Sequence, residues 1–531
     1  MKKVSSIALA LLFAASAFAY EQIGQLNPYA YGVSGTAKNN KIAVAYSLNS
    51  PADSTIIAIY RDGEEVGTQV VADNAPGLHS AVVDIAAFGT AGTYTVGVRV
   101  YGKSYDKPFQ LKEIKDGSTD TTALCYAFYH PKGVDIDRNP YSEYFGRILT
   151  NEAMQGTPDE GYHSSADKDG IYAFDPTFQP ITNGNNRAFK GGLEFAAKMS
   201  NGSTNAYTPY RIRISKDGRI FVSMHDDLHC PLYELSADLQ TWTPIFNGTM
   251  NTDGVMLDAD GNYITGINCG MDVRGEGENL EIIMLNTCLS GLPYGGGDKY
   301  MVATYKLGTN TVWNGPATTA DTLPNIVGSG VFPVGANCGI AYDEAIDGFW
   351  YIGNRAGTAI QERALVHVNA AGEVDWALSE NDSTLFSLNG NGFNGGGNAR
   401  IQDGLFMIGT GQRVSGTGHL QIFDIAYANN GNVPALSKKW EMDLIGISRN
   451  LNDFAIDHGH NLYTVGNSNE KIIPIALPYS GMNETPVEAE VIITALDNVN
   501  GEMKATKMIE NGKVIIIKNG VKYDMLGTVV E

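Results

Sequence analysis

The side chains best suited to chemistry in this chain gather in one stretch, Met224-His225-Asp226-Asp227-Leu228-His229-Cys230, directly behind the apolar run Ile220 to Ser223. His225 and His229, four residues apart with carboxylates between them, have the donor types of a transition-metal site. On a helix that spacing would put both imidazoles on one face. On a strand leading into a loop it does not, and a polar loop accounts for the same residues. His130, in Tyr129-His130-Pro131, is a further candidate, while His458 and His460 flank Gly459 in a turn. Cations are scarce in a chain of formal charge −21, so Arg274 and Arg400 stand out as partners for a carboxylate-bearing ligand. Asp167-Lys168-Asp169-Gly170 and Asp258-Ala259-Asp260-Gly261-Asn262 open like calcium loops, but Phe178 and Cys269 stand where the completing glutamate belongs. The acidity leaves Ca2+ open as a ligand, and no other cofactor is expected. The glycine-rich run Asn389 to Asn398 lacks the lysine and the helix of a phosphate loop. No Gly-x-Ser-x-Gly, His-Glu-x-x-His or cysteine-nucleophile signature occurs. Paired carboxylates for glycoside chemistry need only closeness in space and stay open.

What must position these residues is a repeated phrase, an Asp-Gly turn followed by an aromatic-rich strand. It reads Lys216-Asp217-Gly218-Arg219-Ile220-Phe221-Val222, then Ala259-Asp260-Gly261-Asn262-Tyr263-Ile264, then Ile346-Asp347-Gly348-Phe349-Trp350-Tyr351-Ile352, then Gln402-Asp403-Gly404-Leu405-Phe406-Met407-Ile408. Asp457-His458-Gly459-His460 and Asp169-Gly170 head looser copies. Asp-Gly supplies the positive φ of a tight hairpin, and the run behind it is strand material. A second apolar strand and a tryptophan follow several copies: Leu232 to Leu235 with Trp242, Val302 to Leu307 with Trp313, Leu365 to Val368 with Trp376. Repetition every few tens of residues, in a hairpin pair that cannot bury itself, predicts a β-propeller of six or seven blades over residues 123–480. The interval from Asp260 to Asp347 is far longer than the rest and reads as an insertion, which makes six blades the expected count. In such a fold the loops after Cys125, after Ser223, from Cys269 to Tyr300 and from Asn389 to Asn398 should share one face. His130, His225, Asp226, Arg274 and Arg400 would then line one pocket.

The ends read differently. Residues 1–19 pair Lys2-Lys3 with an apolar run and a small-residue Ala17-Phe18-Ala19, the form of a secretory signal peptide. No later segment is apolar enough to span a bilayer, so a secreted, periplasmic or outer-surface protein is expected. Its charge disfavours nucleic acid. The five cysteines are too few for a disulfide scaffold, and Cys269 with Cys288 is the first pairing to consider. Residues 20–112 hold short alternating strands, Lys41 to Leu48, Thr55 to Tyr60 and Ala91 to Val100, that predict a β-sandwich. Residues 113–122 read as a linker and 481–531 as a small hairpin tail with two Asn-Gly turns. The expected class is therefore all-β: an immunoglobulin-like sandwich, a propeller and a β tail.

Three resemblances go with these segments. Tyr46-Ser47-Leu48-Asn49-Ser50-Pro51-Ala52, Ile59-Tyr60-Arg61-Asp62-Gly63 and Ala91-Gly92-Thr93-Tyr94-Thr95-Val96 together resemble the FlgD-like immunoglobulin-like domain of bacterial exported proteins, which implies a spacer or assembly module. Tyr523-Asp524-Met525-Leu526-Gly527-Thr528-Val529-Val530 resembles the end of the type IX (Por) secretion sorting domain of Gram-negative bacteria. The repeats are similar to NHL-type and quinoprotein-like bacterial propellers. Asp53-Ser54-Thr55, Asp120-Thr121-Thr122, Asp321-Thr322-Leu323 and Asp382-Ser383-Thr384 match an O-glycosylation sequon of such bacteria, which marks Ser54, Thr121, Thr322 and Ser383 as acceptors. The function expected is non-catalytic binding or scaffolding, with a glycan or a surface protein as partner. The alternative is a carbohydrate-active enzyme, a glycoside hydrolase or polysaccharide lyase, working at the propeller mouth.

Overall fold

The β-branched and aromatic runs of this chain pair throughout as antiparallel strands. The computed structural model describes residues 21–153, 169–181, 188–287, 301–315, 321–323, 339–352, 365–377, 398–410, 418–428, 433–447, 451–466, 471–493, 506–510, 513–518 and 521–523, less 39, 89–91, 115–118, 129, 197 and 204–205. Among the described residues helix is confined to the short turns Ala86–Phe88 and Gly277–Asn279, and no helix is long and apolar enough to cross a membrane. The fold is all-β.

Six sheets stand around a common axis in a propeller-like ring, and each serves as a blade. Innermost strand first, blade 1 is Val134–Ile136, Ile148–Glu152 and Gly170–Phe174; blade 2 is Ile212–Ile214, Ile220–Ser223, Leu232–Leu235 and Trp242–Pro244. Blade 3 uses the second half of Tyr263–Arg274, then Glu281–Thr287, Met301–Lys306 and Asp321–Leu323. Blade 4 is Gly339–Asp343, Gly348–Ile352, Leu365–Val368 and Val374–Ala377; blade 5 is Ala399–Gln402, Leu405–Thr410, Gly418–Ala428 and Val433–Leu444. Blade 6 is Leu451–Ile456, Asn461–Gly466 and Lys471–Ala476, completed on the outside by Tyr126–Ala127. Each innermost strand packs on that of the next blade, and Val134–Ile136 returns to Leu451–Ile456. A strand that precedes the first blade thus closes the last one.

The Asp-Gly phrases at Asp217, Asp347, Asp403 and Asp457 are the turns between the innermost strand and its neighbour in blades 2, 4, 5 and 6. Asp403 (φ 54°) and Gly404 (φ 72°) both sit at positive φ, the geometry of a type I′ hairpin. Two copies depart from the expected scheme. The Asp260 turn belongs to a side sheet of Thr249–Met250, Val255–Leu257 and the start of Tyr263–Arg274. That strand runs on past a bulge at Asn268 to become the innermost strand of blade 3, whose own turn, Gly275 to Asn279, lacks the motif. The long interval before Asp347 therefore holds a blade rather than an insertion. Asp169-Gly170, for its part, leads into the third strand of blade 1.

Ahead of the ring, sheets of Ala30–Lys38, Lys41–Leu48 and Gly77–Asp84, and of Met482–Ile493, Gly92–Tyr101, Ser54–Arg61 and Glu64–Val71, enclose one core. Lys41–Leu48 alternates, burying Ile42, Val44, Tyr46 and Leu48 against Ile57, Ile59, Val96 and Val98. Here the expected tail is corrected. Met482–Ile493 pairs along the whole of Gly92–Tyr101 and lends Val487 to the core, so it is a strand of the sandwich. The later Asn-Gly segments form a separate sheet of Thr506–Glu510, Lys513–Lys518 and Val521–Tyr523. The expected linker is also partly strand, since Lys112–Ile114 pairs with both Glu21–Ile23 and Thr121–Ala123.

The sandwich seats on the turn of blade 6 through an amide network. Asn461 Oδ1 accepts from Asn27 N (2.7 Å), Asn27 Nδ2 donates to the carbonyls of Leu477 (2.8 Å) and His460 (3.1 Å), and Asn483 Nδ2 donates to that of Pro28 (3.0 Å). His458 Nε2 meets the Glu484 carbonyl at 2.9 Å while its ring packs against Tyr29 and Phe145. Beneath this contact Asp457 is buried, accepting from Asn461 N (2.8 Å) and Asn461 Nδ2 (2.9 Å). Burial pushes its carboxyl up to about 7, and the same burial holds His458 down at about 4.

Two outcomes follow from these contacts. A chain cut after Ser480 loses Met482–Ile493 and should be destabilised by about 3 kcal/mol or more in chemical denaturation, whereas a cut after Ile493 should unfold at the parent midpoint. The second concerns pH. The native state keeps the Asp457 proton up to about pH 7, whereas the unfolded chain releases it near pH 4, so the native state binds more protons between those values and this group lowers stability as pH rises. Asp457→Asn should flatten that fall, narrowing the difference between denaturation at pH 5 and at pH 8; an unchanged difference would contradict the assignment.

Candidate functional site

In the innermost strands, side chains alternate between the packing of neighbouring blades and the axis. Asp135, Arg213, Asp272, Arg400 and Asp453 all face inward and are buried. Arg213 Nη1 and Nη2 donate to Asp453 Oδ2 (2.7 Å) and Oδ1 (3.0 Å), and its Nε donates to Asp272 Oδ1 (3.2 Å). Arg400 Nη2 donates to Asp135 Oδ1 (2.8 Å). Each carboxylate also accepts from the backbone of the next blade: Asp453 Oδ2, shared with Arg213, from Val134 N (3.1 Å), Asp135 Oδ2 from Ile214 N (2.8 Å) and Asp272 Oδ2 from Tyr342 N (2.9 Å). Burial alone would raise Asp453, but Arg213 and Arg211 beside it hold the carboxyl below its usual range. Asp272 goes the other way, because burial outweighs Arg213 and Arg400.

This charged plug separates two mouths. At the mouth where the innermost strands begin, His130 and His225 approach Tyr207 from two sides, with ring centroids 6.4 and 5.7 Å away, and Lys132 Nζ lies 4.9 Å over the same ring. His225 Nδ1 meets the Asn268 carbonyl at 2.7 Å, and burial lowers its pKa. Asp226 braces its own loop, accepting from Leu228 N (2.6 Å) and His229 N (2.8 Å), with His229 Nδ1 at 3.0 Å. Burial works against the His229 proton, but Asp226 overcomes it and raises the pKa. The two histidines thus turn their Nδ1 atoms to different partners, one to a carbonyl and one to a carboxylate. Among the described residues no group of three or more His, Cys, Asp or Glu is placed to hold a metal ion. Of the two segments that open like calcium loops, Asp167 and Lys168 of the first lie outside the described residues, and the second is a self-contained turn in which Asp258 Oδ1 accepts from Asp260 N (2.9 Å) and Asn262 N (2.7 Å).

At the other mouth, where the hairpin turns converge, lies a cavity of about 620 Å3. Its floor is the charged plug, with Asp135, Asp272 and Arg400; its walls include Arg138, Arg274, Tyr342, Asp343, Asp403, Tyr427 and His458. Arg274 lies 4.5 Å over the Tyr342 ring, with Nε 2.7 Å from Glu281 and Nη1 bonded to Asp347. Asp403 accepts both its bonds from Arg138 Nη2 (2.8 and 3.0 Å). Asp343 accepts from Tyr427 Oη (2.7 Å) and Trp350 Nε1 (3.2 Å).

The expected single pocket is therefore two places. Arg274 and Arg400 share the hairpin-mouth cavity, whereas His130, His225 and Asp226 stand at the opposite mouth. Asn268, which His225 touches, and Arg274 lie at the two ends of one strand segment, roughly 20 Å apart at the rise of an extended chain. Asp135, Asp272, Asp343, Asp403, Tyr342 and Tyr427 were not singled out by the sequence, although a signal existed. The first strand of blades 1, 2, 3 and 5 alternates charged or polar with apolar residues, as in Val134-Asp135-Ile136-Asp137, Arg211-Ile212-Arg213, Met271-Asp272-Val273-Arg274 and Ala399-Arg400-Ile401-Gln402. Of the other expected positions, Cys269 is buried and Cys288 lies outside the described residues, as does Ser383. Thr121 is exposed on a short strand, Ser54 half-buried at the start of one, and Thr322 pairs with Ala303.

No family model matches this chain, and no curated protein does. Among solved structures it is similar to a luciferin-regenerating enzyme (TM-score 0.36, 9% identity, 70% of this chain and 96% of that one). It is also similar to the WD40 β-propeller domain of Doa1 (0.34, 11%, 72% and 90%) and to the soluble aldose sugar dehydrogenase of Escherichia coli (0.34, 12%, 67% and 98%). Likenesses this distant say nothing of the chain's activity.

The axial pairing can be tested directly. Arg213→Met or Asp453→Leu alone leaves a buried charge without its partner and should cost about 3–5 kcal/mol. The double variant should recover most of that loss, and additive costs in a denaturation cycle would show that the pair is not coupled.

Proposed function

We propose that this is an exported binding or scaffold protein in which an immunoglobulin-like sandwich carries a six-bladed β-propeller, and that the hairpin-mouth cavity binds a glycan. One observation carries this reading. The carboxylates of the cavity have their acceptor positions engaged by structural donors: Asp135 by Arg400, Ile136 N and Ile214 N, Asp272 by Arg213, Val273 N and Tyr342 N, Asp403 by Arg138. Carboxylates held this way suit a fixed floor for a ligand better than proton transfer, which needs a group free to change its protonation at the reacting atom. The arginines, neutralised in turn, do not favour the carboxylate-bearing ligand that their scarcity suggests. An uncharged polyhydroxyl ligand suits a wall of tyrosines, carboxylates and guanidiniums. Export rests on residues 1–19, and the tail that resembles a sorting domain fits an outer-surface or secreted address.

The experiment is a panel of soluble polysaccharides scored for both retention and product release. Retention without release is expected. Lys216 and Glu344, an exposed rim pair at 2.8 Å, can be changed to alanine with little effect on the fold. The double change should weaken retention about tenfold, close to 1.4 kcal/mol. Product release abolished by Asp272→Asn or Asp343→Asn would establish the enzymatic alternative instead.

A further inference from the structure

A second hollow of about 600 Å3 adjoins the axial cavity, and the two share Arg274, Gly275 and Glu344 as a common sill. We propose that they form one groove, running from the axis out over the turn of blade 3, and that it takes a linear oligosaccharide of neutral or amino sugars rather than a single sugar. This rests on the glycan reading of the axial cavity and extends it.

Each hollow alone falls in the range that encloses a small ligand, so together they call for a chain. The sill between them is low and fixed. Gly275 is at φ +71°, and a Cβ there would strike the Asn279 carbonyl, so a side chain cannot rise from the sill at this point. Arg274 is clamped flat by Tyr342, Glu281 and Asp347, presenting a guanidinium plane on which a chain can cross. The outer floor is a turn whose backbone is already bonded: Asn279 N to the Glu276 carbonyl (3.0 Å), Leu280 N to that of Gly277 (3.3 Å), Gly308 N to that of Leu280 (2.9 Å). It offers no open edge for a peptide strand, and recognition falls to side chains. Carboxylates outnumber cations along the groove, with Glu278, Glu281, Glu344 and Asp347 set against Arg274 and Lys306 in the outer part. An anionic chain is repelled there and an amino sugar attracted.

The test is calorimetric titration of the full-length protein with dimers and hexamers of glucose (β-1,4), N-acetylglucosamine and glucosamine, with hexagalacturonate, and with hexalysine as a peptide. The best hexamer should bind at least tenfold tighter than its dimer, hexagalacturonate at least tenfold weaker than the best hexamer, and hexalysine weaker than the glucosamine hexamer. Glu278→Trp fills the outer hollow from an exposed position and should bring the hexamer to the affinity of the dimer while leaving the dimer unchanged. Dimers and hexamers of equal affinity, or a hexamer indifferent to Glu278→Trp, would overturn the groove while leaving the axial site intact. Failure of every sugar to bind would overturn the axial reading and the groove with it, and hexalysine binding tightest would replace the glycan with a cationic peptide.

Discussion

The ring depends on charges meeting where little water reaches. A blade's innermost strand must show one face to the axis, and a charge buried there costs several kcal/mol unless it is paired and hydrogen-bonded. Among the described residues every such pair on the axis joins different blades. Arg213 of blade 2 spans Asp453 of blade 6 and Asp272 of blade 3, and Arg400 of blade 5 reaches Asp135 of blade 1. Apolar side chains of similar volume could fill the same space with equal stability, but they would accept many rotations and registers. Bidentate guanidinium–carboxylate geometry accepts few. Backbones approach closely at the start of the inner strands: a Cβ at Gly133 would lie 2.7 Å from Ile212 N.

The same pairing shapes what the hairpin mouth can do. Its floor is a hydrogen-bonded lattice of carboxylates and guanidiniums, and acids also predominate over the rim and the outer turn together. The opposite mouth is of another kind, an aromatic cluster of Tyr207, Tyr210 and His225 with Lys132 and Arg211 laid over the rings. Two chemically distinct ends on one axis follow from a single alternation of side chains along six short strands.

Much of the architecture was legible because Asp-Gly hairpins and aromatic strands are local signals. The turns at Asp217, Asp347 and Asp403 need nothing beyond a few consecutive residues to be recognised. The sequence reading failed where a segment's meaning is set by a distant partner. Met482–Ile493 contains Pro486 and follows a change in composition, so it reads as the start of a tail. Its role appears only through its pairing with Gly92–Tyr101, hundreds of residues earlier. Blade 3 was hidden because its turn, Gly275 to Asn279, has no Asp-Gly. At the site, attention went to the residues with rare chemistry, His225 and His229, whose roles are local braces. The cavity is built instead from common residues, Asp135, Asp272 and Arg400, whose significance lies in their place on the inner strand.

The sandwich and the ring each close with a strand from the far end of the sequence. Met482–Ile493 completes the sheet that Gly92–Tyr101 waits in, and Lys471–Ala476 meets Tyr126–Ala127 to complete blade 6. The ring is thus inserted into the sandwich, entered and left by two covalent crossings rather than one. Two crossings take away the swivel that a single tether allows, so the sandwich serves as a fixed handle and sets the direction in which the hairpin mouth faces. They also set a timetable. As the chain emerges from a ribosome, the ring cannot close until residues near 476 have appeared, nor the sandwich until residues near 490, and the two then lock almost together. A fold whose last strands are the ones that shut it stays open until the chain is nearly complete.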